Sequence, residues 1–335
     1  MKRTLACIII SMIFFLTVIY ADDVNEEVPA SSIFDDASVE VFNDKAPDIN
    51  ARSAIVIDFD SGRVLYEKNA YQKRPMASTT KIMTAIVALE YGNLDDIVTV
   101  SKNAASIWGS TIKLTSGEQL TLKELMYGLL MCSGNDAAIA IAEHIGGSVE
   151  SFLIMMNNKA KDIGALNTNF TSPHGLDETG HYSTAYDMAI ITKYALEIPL
   201  FNEIVKTKSI QSGKRFMSNT NEMLTSYEGA DGVKTGYTGK AGRCLITSAT
   251  RDGRRFISVV LFCDSRDQRA LSSKKILDYA FENYYPCNLI KGGYFGDIPV
   301  YKGYESSVPL LINKSVTLPL TEYEAENLYT KISIP

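Results

Sequence analysis

The chain has 335 residues, 46% of them hydrophobic and 21% charged, with a formal net charge of −6. That length is enough for one large core plus a smaller appended domain. The acidic balance, with no Lys/Arg stripe, excludes a protein built to neutralise nucleic-acid phosphates.

Lys2 and Arg3 precede an apolar run from Leu5 to Tyr20, and Ala21 then meets Asp22 and Asp23. A charged start, a short apolar middle and a small residue before polar sequence predict a secretory signal peptide over residues 1–21. The uncharged run falls short of the ~20 residues a bilayer crossing needs, which favours cleavage over a retained anchor. Cys7 lies at the front of that run, which argues against a lipoprotein. Cys132, Cys244, Cys263 and Cys287 show no CxxC spacing, and no metal site or cofactor is expected. In an exported chain Cys244 and Cys263, at opposite ends of a hairpin, either pair or stay as buried free thiols.

Residues 22–50 are rich in Asp, Glu, Ser and Pro without an apolar period, and predict a flexible acidic spacer. Ser53–Asp58, a turn at Asp60-Ser61-Gly62 and Arg63–Glu67 make a β-hairpin signature. After Pro75 the period changes: Ile82, Ala85, Ile86 and Leu89 recur at helical spacing, and Gly92 is a stop. Helices are predicted over Thr121–Met131, Asn135–His144, Val149–Ile163 and Tyr186–Leu196. Strands return at Gly232–Thr235, Arg243–Thr250 and Phe256–Cys263, the last two turning at Asp252-Gly253. Gln268–Tyr284 is an amphipathic helix with Leu271, Ile276, Leu277, Ala280 and Phe281 on its apolar side. Strands first, helices in the middle and strands last imply an α+β layout whose two groups of strands join in one sheet. Beyond Tyr285 the texture is short and β-prone, as in Ile298–Tyr301 and Val308–Ile312. The expected organisation is therefore a spacer over 22–50, a main domain over 51–285 and a short β domain over 286–335.

Three short motifs carry chemistry. In Ser78-Thr-Thr-Lys81 the serine lies where a helix begins, and an i, i+3 pair shares one face, so the Lys81 amine reaches the Ser78 hydroxyl. A helix N-terminus helps the serine oxygen bear charge, and a nearby cation or a dry pocket lets the lysine act as a base. Ser133-Gly-Asn135 lies in the turn between two apolar helices. There a hydroxyl and an amide can project together into a cleft, but by itself the motif reads better as helix capping by Ser133 or Asn135. Lys234-Thr235-Gly236 on a late strand offers a cation, a hydroxyl and a place for close backbone approach. Only His144, His174 and His181 occur, and no Ser sits in a GxSxG elbow, so the base of a serine mechanism is expected to be a lysine. His174, Asp177 and Asp187 read as loop and cap residues.

Each motif alone is weak; in this order they are specific. The chain resembles the penicillin-binding protein and serine β-lactamase superfamily. Finer stretches, among them Met76-Ala-Ser-Thr-Thr-Lys-Ile-Met-Thr84, Cys132-Ser-Gly-Asn-Asp-Ala-Ala138, Pro173-His-Gly-Leu176 and Gly232-Val-Lys-Thr-Gly-Tyr-Thr238, look like serine-type D-alanyl-D-alanine carboxypeptidases. The likeness covers about Ala51 to Tyr284. It implies a β-lactamase/transpeptidase-like sheet with a helical subdomain, plus a C-terminal all-β domain that is short beside those of relatives. It also implies the roles: Ser78 as nucleophile, Lys81 as base and Ser133 as proton relay, with Asn135 holding the peptide and Lys81. The N–H groups of Ser78 and Tyr237 would form the oxyanion hole. Lys234 and Thr235, with Arg269, would meet the substrate carboxylate, and Gly236 would let the ligand backbone approach closely. The partners implied are a peptidoglycan stem peptide ending in D-Ala-D-Ala and β-lactams as covalent inhibitors, met outside the cytoplasm at the cell wall or the outer face of the cytoplasmic membrane.

Three rival readings remain at this stage: a serine β-lactamase, a D-Ala cross-link endopeptidase, and a catalytically inert wall-binding protein. Asp177 and Glu178 look carboxypeptidase-like rather than lactamase-like, and intact motifs disfavour an inert protein. Relatives continue into an amphipathic membrane-surface helix, whereas Glu322–Ile332 is acidic and lacks the basic face such a helix prefers.

Overall fold

A computed structural model describes residues 46–329. The expected signal peptide with Cys7, the spacer up to residue 45, and residues 330–335 lie outside the described residues.

In chain order the elements are β1 (Ser53–Asp58), β2 (Val64–Lys68), a 3-10 turn over Ala77–Thr80, α1 (Lys81–Tyr91), β3 (Ile97–Thr99), α2 (Lys102–Ser106), β4 (Gln119–Thr121), α3 (Leu122–Met131), α4 (Asn135–Gly146), α5 (Val149–Asp162), α6 (Ala185–Glu197) and α7 (Pro199–Lys206). They continue through β5 (Ser209–Ser212), β6 (Arg215–Ser218), α8 (Met223–Ser226), β7 (Ala230–Thr238), β8 (Gly242–Arg251), β9 (Arg254–Cys263) and α9 (Arg266–Asn283). The chain then adds β10 (Tyr285–Ile290), β11 (Gly293–Pro299), β12 (Ser307–Ile312), β13 (Val316–Leu320) and α10 (Glu322–Asn327).

One five-stranded antiparallel sheet organises the molecule, in the order β2-β1-β9-β8-β7. The N-terminal hairpin therefore joins the late strands through β1 and β9, as the strand–helix–strand layout predicts. Side chains alternate across the sheet with period two. Ile55, Ile57, Ile246, Ile257 and Val259 face a large core shared with α1, α3, α4 and α6. Ala54, Val56, Leu245, Phe256 and Val260 face a second core closed by Ile276, Leu277, Ala280 and Phe281 of α9. Leu271, expected on that apolar side, is instead 46% exposed. The buried stripe of α9 runs through Arg269, Ser272, Ser273, Ile276, Leu277 and Ala280, and Leu271 lies off that face.

A break in that alternation decides the cysteines: Phe262 sits at a positive φ of 58° and the β8–β9 register shifts between Arg243 and Leu245, which turns Cys263 away from the face of Ile257 and Val259. Cys244 belongs to the core on the helical side and Cys263 to the core under α9, and both are buried free thiols. Neighbouring strands do not suffice for a disulfide when the side chains leave opposite faces.

Helix starts follow local chemistry. Thr121 and Glu124 form a capping box on α3, and Ser148, Thr184 and Ser265 cap α5, α6 and α9 through their hydroxyls. Past α9 the strands pair only two by two, β10 with β13 and β11 with β12. Helix α10 buries no residue.

Candidate active site

The 3-10 turn Ala77–Thr80 places Ser78 immediately before α1, and Lys81 opens that helix. Lys81 Nζ lies 2.9 Å from Ser78 Oγ, 2.8 Å from Asn135 Oδ1 and 2.7 Å from the carbonyl oxygen of His174. Its side chain is fully buried, and no ion pair among the described residues includes it. Burial first, and the charge of Lys234 second, hold its pKa well below the usual lysine value. A neutral amine has two N–H groups and one lone pair. With Asn135 Oδ1 and the His174 carbonyl taking the N–H groups, the lone pair is left for the Ser78 hydroxyl.

Asn135 is oriented from behind: its Nδ2 donates to the carbonyl of Trp108 at 2.7 Å, which turns Oδ1 toward Lys81. The next residue, Asp136, accepts from the backbone N–H of Ile112 and of Leu114, each at 3.0 Å, and so fixes the approach segment to α4. Helix α4 is capped by Gly134 without any side-chain bond, so neither Ser133 nor Asn135 acts as its cap. Ser133 is buried in the turn at a positive φ of 60°. Its hydroxyl makes no hydrogen bond among the described residues, unlike those of Thr79, Thr80 and Thr84 around it.

Strand β7 forms the opposite wall and is the edge of the main sheet. A Cβ on Gly236 would stand 3.1 Å from Ala77 Cβ, the Met76 carbonyl and Ser78 N. Glycine there lets the strand lie directly on the nucleophile's turn. Lys234 is buried and donates to the carbonyl of Thr235 at 3.0 Å. Burial, and then the guanidinium of Arg269, bring its pKa down to about 7. The hydroxyls of Thr235 and Thr220 are 3.0 Å apart. The Tyr237 side chain is exposed, with Arg243 stacked 3.6 Å from its ring centre.

Arg269 is buried on α9, and Glu222 takes it bidentately at 3.0 and 2.9 Å. It stands close enough to Lys234 to lower that lysine's pKa. The loop after α5 closes the remaining side. Asp177 accepts from Thr238 Oγ1 at 2.5 Å and from Lys240 N at 3.1 Å, pinning the loop to the end of β7. Asp187 binds Thr168 and the N–H of Asn167 while Thr184 caps its helix. Asp177 and Asp187 thus take the loop and cap places expected of them.

Direct bonds join Ser78, Lys81 and Asn135, and Gly236 packs against the turn that carries Ser78. Four contributors were not foreseen as site groups: the His174 carbonyl, Trp108, Thr220 and Glu222. The first two act through backbone carbonyls and the others bear no motif, so only the fold reveals them.

A family model described as D-alanyl-D-alanine carboxypeptidase matches residues 40–265. The D-alanyl-D-alanine carboxypeptidase DacF of Bacillus subtilis is 40% identical over 279 residues, spanning 80% of this chain and 72% of its own. DacC of Escherichia coli, with the same description, is 40% identical over 291 residues, spanning 82% and 73%. Among solved structures, penicillin-binding protein 5 from Haemophilus influenzae superposes with a TM-score of 0.78 at 33% identity, covering 84% of this chain and 85% of that one.

Proposed function

We propose that Ser78 is the acylating serine of this site, proceeding from the fact that the chain belongs to the D-alanyl-D-alanine carboxypeptidase family and is a serine-type hydrolase of that kind. One observation carries the assignment: a fully buried lysine amine 2.9 Å from a serine hydroxyl, with acceptors at its other two positions. Such an amine takes a proton without first giving one up to water.

In this reading Ser78 Oγ attacks the carbonyl between the two terminal D-alanines of a peptidoglycan stem peptide, and its proton passes to Lys81. The oxyanion is met by the N–H groups of Ser78 and Tyr237, which Gly236 brings together by close packing. Because β7 is a sheet edge, the substrate backbone can add beside it as a further strand. The terminal carboxylate meets Lys234, whose charge it favours, with Thr235 and Arg269 behind. As the carbon–nitrogen bond breaks, Ser133 passes the proton from Lys81 to the leaving D-alanine nitrogen. Water then takes the place of that nitrogen and releases the shortened peptide from Ser78. A β-lactam enters by the same acylation and stays bound.

The region 51–285 is proposed as the catalytic domain and 286–335 as a separate small β domain. Residues 1–21 are proposed to export the chain, so that it works at the cell wall or on the outer face of the cytoplasmic membrane. The deciding assay is release of D-alanine from a pentapeptide ending in D-Ala-D-Ala. Ser78→Ala should abolish both that release and labelling by a tagged penicillin. Retained labelling in the variant would exclude Ser78, and faster turnover of cross-linked dimers than of free pentapeptide would favour the endopeptidase.

A further inference from the structure

The turn that carries Ser78 holds a buried polar relay that the acyl-transfer steps leave unused. Thr171 N–H donates to His181 Nδ1 at 3.0 Å, which fixes the ring's proton on Nε2. That nitrogen lies 2.8 Å from Thr80 Oγ1. The Thr80 hydroxyl in turn donates to the carbonyl of Ala77 at 2.8 Å. Burial holds the imidazole neutral, its pKa brought down to about 4, so the ring keeps one donor and one acceptor in the physiological range. Both side chains are almost wholly inaccessible.

The end of this relay matters because of what is bonded to it. The Ala77 carbonyl and the Ser78 N–H belong to one planar peptide group and cannot turn independently. Whatever fixes the carbonyl therefore aims the N–H at its other edge. Ala77 itself sits at φ +50°, a conformation an alanine adopts only when its surroundings impose it. Gly175 closes the carbonyl from the other side: a Cβ there would stand 1.9 Å from Ala77 O. On the other side of the same peptide, a Cβ on Gly236 would stand 3.1 Å from Ser78 N.

We propose that Thr80 and His181 are positioning residues that hold the Ala77–Ser78 peptide so that Ser78 N–H points at the developing oxyanion. The inference rests on Ser78 being the acylating serine. Neither side chain touches the substrate; each acts through the peptide plane. Such an arrangement contributes mainly in the tetrahedral state, where the oxygen carries charge, and little to ground-state binding.

The test compares wild type with Thr80→Val, Thr80→Ser, His181→Phe and the Thr80→Val/His181→Phe double variant. Two rates are read: acylation by a chromogenic β-lactam, and kcat and KM for a D-Ala-D-Ala peptide. The third readout is inhibition by a peptide boronic acid. Ser78 Oγ adds to boron, its proton goes to the base, no bond to boron breaks, and a boron-bound oxygen occupies the oxyanion position. Thr80→Val should lower acylation and kcat by roughly 10- to 100-fold, below the loss expected for deleting a donor outright. It should weaken the boronate by a similar factor and leave KM within about threefold. Thr80→Ser, which keeps the hydroxyl, should recover most of the loss. His181→Phe should act in the same direction, and the double variant should lose no more than the worse single variant, as members of one relay do. Wild-type acylation in Thr80→Val would overturn the proposal, as would a loss seen equally in KM or not rescued by serine. If Thr80→Val fails to fold, His181→Phe and Thr80→Ser decide the matter by the same readouts. If the wild-type protein itself is not acylated, it is the assignment of Ser78 that fails.

Discussion

Removing an amine from water penalises its charged form, and Lys81 and Lys234 are both fully enclosed. They differ in company. Lys81 faces Lys234 and three neutral oxygens, with the Asp136 carboxylate opposing the lowering more weakly, while Lys234 faces Arg269 with its pKa at about 7. The proposed chemistry needs Lys81 neutral and Lys234 charged, so kcat/KM should rise with pH through the lowered pKa of Lys81 and fall above about 7 as free-enzyme Lys234 loses its proton. Lys234→Arg stays charged, and the alkaline limb of its profile should move out of range. A limb that stays in place would remove Lys234 from that role. By the same reasoning Lys81→Arg, unable to give up a proton, should slow acylation by about 10²- to 10⁴-fold. Stability carries the opposite mark. Unfolded Lys234 binds a proton below about 10.5 and the folded residue only below about 7, so between those values the unfolded chain holds more protons. Stability from this group therefore rises with pH across that window and is lost as pH falls through it. Lys234→Met should flatten the rise in melting temperature between pH 7 and 9 and add about 1–2 kcal/mol near pH 7 while destroying activity.

Elements supply what side chains alone cannot. The loop over residues 173–182 brings the His174 carbonyl to Lys81, lays Gly175 against Ala77, and is tied to β7 through Asp177. Gly175 has φ +85° and no room for a methyl group, so Gly175→Ala must push the loop off the turn. It should cost on the order of 2 kcal/mol and lower acylation at least about 100-fold, with the two losses read by denaturant unfolding and β-lactam labelling. Normal acylation would mean the loop does not set the base. This loop also marks where sequence reasoning stops. Periodicity and capping found α1, α3, α4, α5, α6 and α9 to within a few residues, because their buried faces repeat along the chain. The short β5–β6 hairpin and α7 escaped, since four strand residues or eight helical residues give only about two repeats of their period. Ser78, Lys81 and Asn135 were legible because their side chains carry the motif. The His174 carbonyl was not, as backbone atoms have no residue type, and the Glu222 clamp on Arg269 spans 47 positions with no local pattern.

On the scale of the whole molecule, the sheet is buried on both faces, and its β7 edge is where the site lies. The strands beyond α9 attach at the far edge, near β2. Arg63, just before β2, donates to the Pro319 carbonyl and pairs with the Glu324 carboxylate, and Leu320 is buried beneath. Tyr284, which ends the main core, bonds the Leu65 carbonyl at 2.9 Å and so belongs to the larger body. Among the described residues, no hydrogen-bond partner of Ser78, Lys81, Asn135 or Lys234 comes from beyond residue 285. A chain ended at Tyr285 should therefore fold and acylate within about threefold of the full protein. The loss of one half-buried ion pair and one buried leucine is worth about 2–3 kcal/mol, and should lower the melting temperature by roughly 4–10 °C. Thermal unfolding and penicillin labelling of the shortened protein measure the two effects separately. A tenfold fall in labelling by folded, shortened protein would show that the appendage shapes the site across the sheet, and the division at 285 would have to be given up.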